Sequence, residues 1–188
     1  MDDRYEAHFD AGYAAVPSPE FPGDGRWQQP VYAYDRSGAV ASQPNERWGP
    51  PFVIKIQPLD RPPWVGMFST GGLGGVRSAF ACPRTSDLCV VVDGLAYVLD
   101  VGKPALGALV VADQVRQVVA EVKPPRLFLA TWTGIAALGP EGLVWREFRI
   151  ALDGLQIQAT APYLLCRVDD LKGGTDEVRL DPATGRPL

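Results

Sequence analysis

The sequence predicts an all-β fold built mainly of antiparallel hairpins, and three observations lead to this prediction. The 188 residues include 18 prolines, about double the average share of ~5%, and proline shortens helices while favouring turns and edge strands. Apolar residues flank Asp-Gly pairs, which are typical of two-residue hairpin turns. After residue 64, a single segment has helical spacing. We expect a propeller-like sheet stack or an open β-sandwich, preceded by a proline-rich N-terminal arm.

The arm comprises residues 1–63. Its ten prolines leave room only for short strands such as Val31–Tyr34 and Phe52–Ile56. The aromatic residues between the prolines argue against simple disorder, because disordered linkers contain few aromatics. We therefore predict that the arm packs on a β-rich body formed by residues 64–188, with a mobile tail or a partner-docking segment as the alternatives.

The first hairpin of the body is predicted in the stretch LCVVVDGLAYVLD. A turn at Asp93-Gly94 would place Val92 opposite Leu95 and Val90 opposite Tyr97 on one face. The other face of this pair is apolar as well. The hairpin should therefore be covered on both sides.

Two further pairs of strands follow. FRIALDGLQIQA predicts a hairpin that turns at Asp153-Gly154 and stacks Ile150 on Ile157. A Gly-Pro-Glu-Gly turn predicts a second pair between Ile135–Leu138 and Leu143–Arg146. The segment ADQVRQVVAEV has helical spacing, but its β-branched valines favour a strand, so a strand is preferred and a helix is the alternative.

The ends of these units are similar to one another. Leu99, Leu138 and Leu180 are 39 and 42 residues apart, and a period near forty is typical of propeller blades. VRLDPATGRP and GIAALGPEGLVW resemble blade endings of the quinoprotein and WD40-like β-propellers, where a strand ends at a turn carrying Asp or Gly. The resemblance covers residues 88–188 and implies stacked antiparallel sheets. No Trp-Asp dipeptide occurs, and no family binding site is carried over.

Composition excludes several classes of partner. The formal net charge is −4, without a basic cluster, which argues against nucleic acid and anionic membranes as partners. The acidic N-terminus has no basic or apolar leader pattern, and no stretch approaches the ~18 apolar residues of a membrane span. Three cysteines are too few for a disulfide framework. We expect a cytoplasmic protein of bacterial type.

The stretch STGGLGGVR (residues 69–77) could be a phosphate-binding loop. It does not fit the dinucleotide template, because the glycine required after Gly72 and Gly74 is replaced by Arg77, and no Gly-Lys-Ser or Gly-Lys-Thr follows. We therefore predict that this loop is a turn that only connects two strands and that it binds no nucleotide. On this interpretation Arg77→Ala changes stability by less than about 1 kcal/mol, as exposed substitutions usually do. The alternative is a loop that contacts a partner or an anion through Arg77.

Groups suited to catalysis or metal binding are scarce and scattered. His8 is the single histidine, and Cys82, Cys89 and Cys166 contain no C-x-x-C pair, which argues against a catalytic triad and a zinc site. The acids of residues 169–177 match a solvated loop better than a calcium loop or a catalytic pair. We predict no catalytic residue, metal or cofactor.

The tryptophans suggest two different roles. Trp132 and Trp145 flank one hairpin and are predicted to lie in the core. Trp48 and Trp64 stand beside prolines, where each could anchor the arm or serve as an exposed hot spot; we prefer the anchor.

These residues predict a non-enzymatic protein-interaction module whose partner is another protein. It could be an immunity protein that neutralises a toxin, or a component of a larger assembly. The partner-binding residues are expected among Trp48, Trp64, Gly72, Gly74 and Arg77. The alternative is an enzyme or small-ligand-binding domain with a pocket between sheets, using Arg77 and residues 169–177.

Overall fold

A computed structural model describes residues 3–23, 26–44, 47, 49–72, 74–169 and 174–188. Within this part of the chain there are seventeen strands and one short 3-10 turn at Pro104–Leu106, so the all-β prediction is confirmed. In chain order the strands are β1 (Tyr5–Glu6), β2 (Tyr13–Pro17), β3 (Val31–Tyr34), β4 (Val40–Ala41), β5 (Phe52–Pro58), β6 (Trp64–Phe68), β7 (Ser78–Ala81), β8 (Asp87–Val92), β9 (Leu95–Asp100), β10 (Leu109–Ala112), β11 (Gln117–Val122), β12 (Pro125–Ala130), β13 (Ile135–Gly139), β14 (Gly142–Glu147), β15 (Asp153–Ala159), β16 (Leu164–Asp169) and β17 (Thr175–Leu180).

The first sheet has the order β2-β5-β6-β3-β4. Its pairs are antiparallel except for β3 and β6, which run parallel. Both short strands predicted within residues 1–63 are present, as β3 and β5. These residues thus supply four strands that pair in one sheet with β6, and β1 pairs with β7 in the next sheet.

The second sheet has the order β1-β7-β8-β9-β10 and contains the first predicted hairpin. Val92 pairs with Leu95 and Val90 with Tyr97, in the predicted register. Asp93 and Gly94 both have positive φ, 48° and 89°, as a two-residue turn between right-twisted strands requires. Both faces of the hairpin are buried, as expected from its two apolar faces.

The third sheet is the antiparallel meander β11-β12-β13-β14. The ambiguous valine-rich segment forms strand β11, which agrees with the preferred interpretation. β13 and β14 are joined at the predicted turn, where Gly139 pairs with Gly142.

The hairpin predicted at Asp153-Gly154 in the last part of the chain is wrong. These two residues begin β15, which pairs with β16, so that Ile157 lies opposite Cys166 instead of Ile150. Ile150 is held elsewhere, because its N–H donates to the carbonyl of Thr133. The fourth sheet has the order β15-β16-β17.

The four sheets stack in chain order, with an apolar layer in each gap. Buried side chains of the first and second sheets form one cluster, which includes Tyr34, Phe68 and Tyr97. A second cluster lies between the second and third sheets, and a third between the third and fourth. In the described ranges no apolar cluster joins the fourth sheet to the first. No helix in this part of the chain has the length and apolar character to cross a membrane.

The turn between β3 and β4 supports a prediction about pH. The carboxylate of Asp35 accepts hydrogen bonds from the backbone and hydroxyl of Ser37, at 2.8 and 2.6 Å, and from the N–H of Ala39 at 3.1 Å. These bonds, that of the Ser37 hydroxyl above all, lower the pKa of Asp35 below its usual 3.8. A lowered carboxyl pKa contributes stability above the unfolded-state value, and this contribution is lost as the pH falls through the folded-state value.

Asp35→Asn is therefore expected to lower the melting temperature at pH 7, with a difference from the native chain that shrinks below pH 4. Thermal unfolding between pH 2 and pH 7 would measure it. Asp60→Asn, at an exposed carboxyl, is the control. A difference at position 35 that stayed constant with pH would show that the charge of Asp35 contributes nothing.

Candidate functional site

The glycine loop joins β6 to β7 and lies against two neighbouring turns. The N–H of Gly71 donates to the carbonyl of Val92 at 2.9 Å. A Cβ on Gly71 would stand 2.5 Å from the Asp93 carbonyl, and one on Gly75 would stand 2.5 Å from the Val115 carbonyl. Gly72 and Gly74, the two predicted partner-binding glycines, have positive φ of 88° and 69°. The glycines thus permit tight backbone packing.

Arg77 is held inside the protein, with a side chain that is 15% exposed. Its guanidinium forms ion pairs with Asp3 at 2.9 Å and Asp93 at 3.1 Å, and donates to the Pro51 carbonyl at 3.1 Å. The small stability effect predicted for Arg77→Ala assumes an exposed side chain, and that premise is wrong. Two carboxylates already neutralise the Arg77 charge.

The tryptophans lie in contrasting surroundings. Trp64 is 3% exposed, and its indole N–H donates to the Val101 carbonyl at 3.1 Å. This is the position of an anchor between the first two sheets. Trp48 lies outside the described residues. Trp145 packs against the third apolar cluster, whereas Trp132 is 38% exposed, so the predicted core position of Trp132 is wrong.

Two adjoining cavities open beside the glycine loop. The first, of about 560 Å³, is lined by Arg4, Gly75, Arg77 and Arg116 among others. The second, of about 490 Å³, shares Arg116 and adds Trp132, Gln117 and Gln156. The Arg116 guanidinium lies 4.3 Å from the centre of the Trp132 ring. Arg4 and Arg116 are not among the sequence-predicted site residues, because no local motif connects positions so far apart in the chain.

The alternative hypothesis from the sequence places Arg77 and residues 169–177 at one pocket between sheets. Arg77 precedes β7 in the second sheet, whereas Asp169 ends β16 in the fourth. The described residues of this range, 169 and 174–177, do not line the cavity that Arg77 lines. Residues 170–173 lie outside the described part of the chain.

The nucleophilic and metal-binding groups are buried or dispersed. Burial raises the pKa of Cys89 to about 12 and that of Cys166 to about 11, and it raises the pKa of Cys82 as well. These thiols remain protonated at neutral pH and are poor nucleophiles. His8 pairs with Glu6 at 2.9 Å. The described residues contain no group of three or more side chains that could hold a metal ion.

The outer face of the fourth sheet, at one end of the stack, is polar. One row across this sheet aligns Gln156, Arg167 and Glu177, all exposed. The residues that alternate with them, such as Ile157 and Cys166, belong to the third apolar cluster. This end of the stack can therefore face water.

The outer face of the first sheet, at the other end, is more apolar. One row aligns Val16, Lys55, Val65 and Val31. The two ends of this row, Val16 and Val31, are 53% and 42% exposed, while Val65 at its centre is buried. In the connection from β2 to β3, Phe21 is 59% exposed. Apolar surface thus remains accessible at this end.

The chain was compared with protein families, curated proteins and solved structures. The chain matches no family model, no curated protein and no solved structure.

Proposed function

We propose that this chain is a non-enzymatic protein-interaction module that docks onto another protein through the outer face of its first sheet. The observation that carries the proposal is the difference between the two ends of the stack. The outer face of the fourth sheet is charged and polar, whereas that of the first sheet exposes Val16 and Val31.

The two terminal sheets of a stack each have one face that no other sheet covers. Each inner sheet has two apolar faces and needs a layer on both sides. Stacked structures end in water with a polar outer face, which keeps the terminal unit soluble. The fourth sheet satisfies this requirement. The outer face of the first sheet leaves Val16 and Val31 exposed to water, and a docked partner would cover this apolar surface.

Lys55 indicates the chemistry of the partner. It lies in the same row, between Val16 and Val65, and is half-buried. In the described ranges it forms no ion pair. An apolar partner surface that carries a carboxylate would complement it. A second copy of the chain would bring an ammonium group of its own, so we favour a different protein.

The apolar character of the face favours an assembly component over an immunity protein. Permanent complexes have more hydrophobic interfaces than complexes whose members also exist free in solution. A toxin-neutralising role would use the same face with a partner that dissociates. We therefore propose a stable component of a larger assembly.

Val31→Glu is expected to release the partner, because it buries a carboxylate in an apolar interface. Lys55→Glu is expected to weaken the complex by reversing the charge that the partner's carboxylate meets. The matched control is Val144→Glu in β14, since Val144 is 40% exposed and Val31 is 42% exposed. Each tagged chain would be cross-linked and purified from its native host, and thermal unfolding would confirm its fold.

The control and the native chain should carry the same partner, and Val31→Glu should not. Retention of that partner by Val31→Glu would contradict the proposal. Purification of the native chain alone, as a monomer, would contradict it too. Self-association that Val31→Glu abolishes in sedimentation would assign the face to a second copy.

A further inference from the structure

Two arginines in the cavity beside the glycine loop have no carboxylate partner among the described residues. Arg4 and Arg116 both line this cavity of about 560 Å³. In the part of the chain that the structure describes, neither forms an ion pair. Arg77 in the same lining is different, because Asp3 and Asp93 neutralise it. The available positive charge therefore comes from Arg4 and Arg116.

Among the described residues of the lining, Glu6 is the single acid, against the three arginines Arg4, Arg77 and Arg116. Its carboxylate lies 2.9 Å from the His8 ring nitrogen. Ser78 contributes a hydroxyl that can donate a hydrogen bond to an anion. The chain as a whole has a net charge of −4. Arg4 and Arg116 are the guanidinium groups of this concave surface that can still meet an anion.

Both arginines are supported by regular backbone contacts. The carbonyl of Arg4 accepts a hydrogen bond from the N–H of Ala79, and the N–H of Arg116 donates to the carbonyl of Ala130, both at 2.8 Å. The Arg116 guanidinium also stacks on Trp132. Such stacking limits the conformational freedom that a side chain loses when it binds a ligand.

From these contacts we infer that the cavity binds the oxyanion of a small organic molecule, with Arg4 and Arg116 as its guanidinium donors. Guanidinium groups present paired N–H donors that match carboxylate and phosphate oxygens. The cavity volume lies within the ~300–1,000 Å³ usual for small-molecule sites, and it exceeds the size of an inorganic ion. The ligand therefore has an organic body, which the adjoining cavity with Trp132 and Gln156 can accommodate.

This site is separate from the docking face of the first sheet, and either can exist without the other. It also differs from a nucleotide site built on the glycine loop. Here side-chain guanidinium groups hold the anion, and the loop contributes a wall through Gly75. A long polyanion is disfavoured by the overall negative charge of the chain.

Isothermal titration at low salt with phenyl phosphate and with benzoate tests the inference on the full-length chain. At least one probe should bind with a Kd of about 1 mM or tighter, and Arg4→Gln and Arg116→Gln should each weaken it about tenfold, which corresponds to about 1.4 kcal/mol. Stronger binding of phenyl phosphate identifies a phosphate ester, and stronger binding of benzoate identifies a carboxylate. Either outcome supports the site.

Arg186→Gln is the matched control, because it removes the same charge from an exposed residue that lines neither cavity. It should change affinity by less than about twofold, since exposed charges far from a site are screened. Arg116→Lys keeps the charge but loses the planar fork, and it should bind more weakly than the native chain. Thermal unfolding would confirm that every variant is folded.

Three results would overturn the inference. The first is the absence of binding of both probes to the native chain at millimolar concentration. The second is an equal loss in Arg116→Gln and Arg186→Gln, which would indicate attraction by overall charge. The third is unchanged affinity in both Arg4→Gln and Arg116→Gln.

Discussion

Arg77→Ala is expected to lower the free energy of unfolding by about 3 kcal/mol, because it leaves two partly buried carboxylates without their cation. The side chains of Arg77, Asp3 and Asp93 are 15%, 14% and 28% exposed, so solvent screens their interaction only in part. Arg77 also links the N-terminal segment to the Asp93-Gly94 turn and to the Pro51 carbonyl. Its removal therefore loosens three segments together.

Urea denaturation of the native chain and of Arg77→Ala would measure this loss. Arg167→Ala, which truncates an exposed arginine of the fourth sheet, should change stability by less than about 0.5 kcal/mol. Arg77→Lys should recover part of the loss, since it restores the charge but not the planar set of donors. If Arg77→Ala cost less than about 1 kcal/mol, the small effect predicted from sequence would be correct.

Gly75→Ala is expected to cost about 3 kcal/mol, whereas Gly74→Ala should cost about 1 kcal/mol. Both glycines have positive φ, 130° and 69°, so both substitutions strain the backbone. The two expected losses differ because the space available to an added Cβ differs. A Cβ on Gly75 would lie 2.5 Å from the carbonyl oxygen of Val115, while a Cβ on Gly74 meets no atom within 4 Å.

The same denaturation measurement distinguishes the two glycine variants, and each serves as the control for the other. Equal losses would show that backbone conformation alone explains these glycines. A larger loss for Gly74→Ala would contradict the packing argument altogether. The expected order supports a mechanical role for the loop, since it depends on contact with a neighbouring turn and not on a ligand.

Local signals predicted much of the secondary structure. The Asp93-Gly94 hairpin has the predicted register because the dipeptide adopts the required positive φ and its neighbours alternate regularly. Asp153-Gly154 carries the same local signal and forms no such hairpin. There β16 pairs with β15, and Ile150 bonds to Thr133. The pairing of this region was decided by strands and residues distant in sequence, which competed with the local hairpin.

The candidate site was less predictable than the fold. The sequence identified Arg77 as a candidate site residue beside the glycine loop. Its neutralisation by Asp3 and Asp93 could not be predicted, because it depends on contacts between distant positions. Arg4 and Arg116 belong to no motif, and folding alone brings them to one cavity. Trp132 was expected in the core because it flanks a hairpin, yet it is 38% exposed and its ring lies against the Arg116 guanidinium.

The sequence by itself determined the all-β class, the positions of most strands between residues 88 and 147, and the tight turns at residues 93–94 and 139–142. These follow from apolar alternation and from the conformations open to Gly, Asp and Pro. Only the tertiary structure decided which sheets stack, which end stays apolar and which arginines keep an uncompensated charge. The physical reason is the distance along the chain over which each interaction acts. Backbone preferences act over a few residues, whereas pairing, burial and charge neutralisation depend on residues that become neighbours only after the chain has folded.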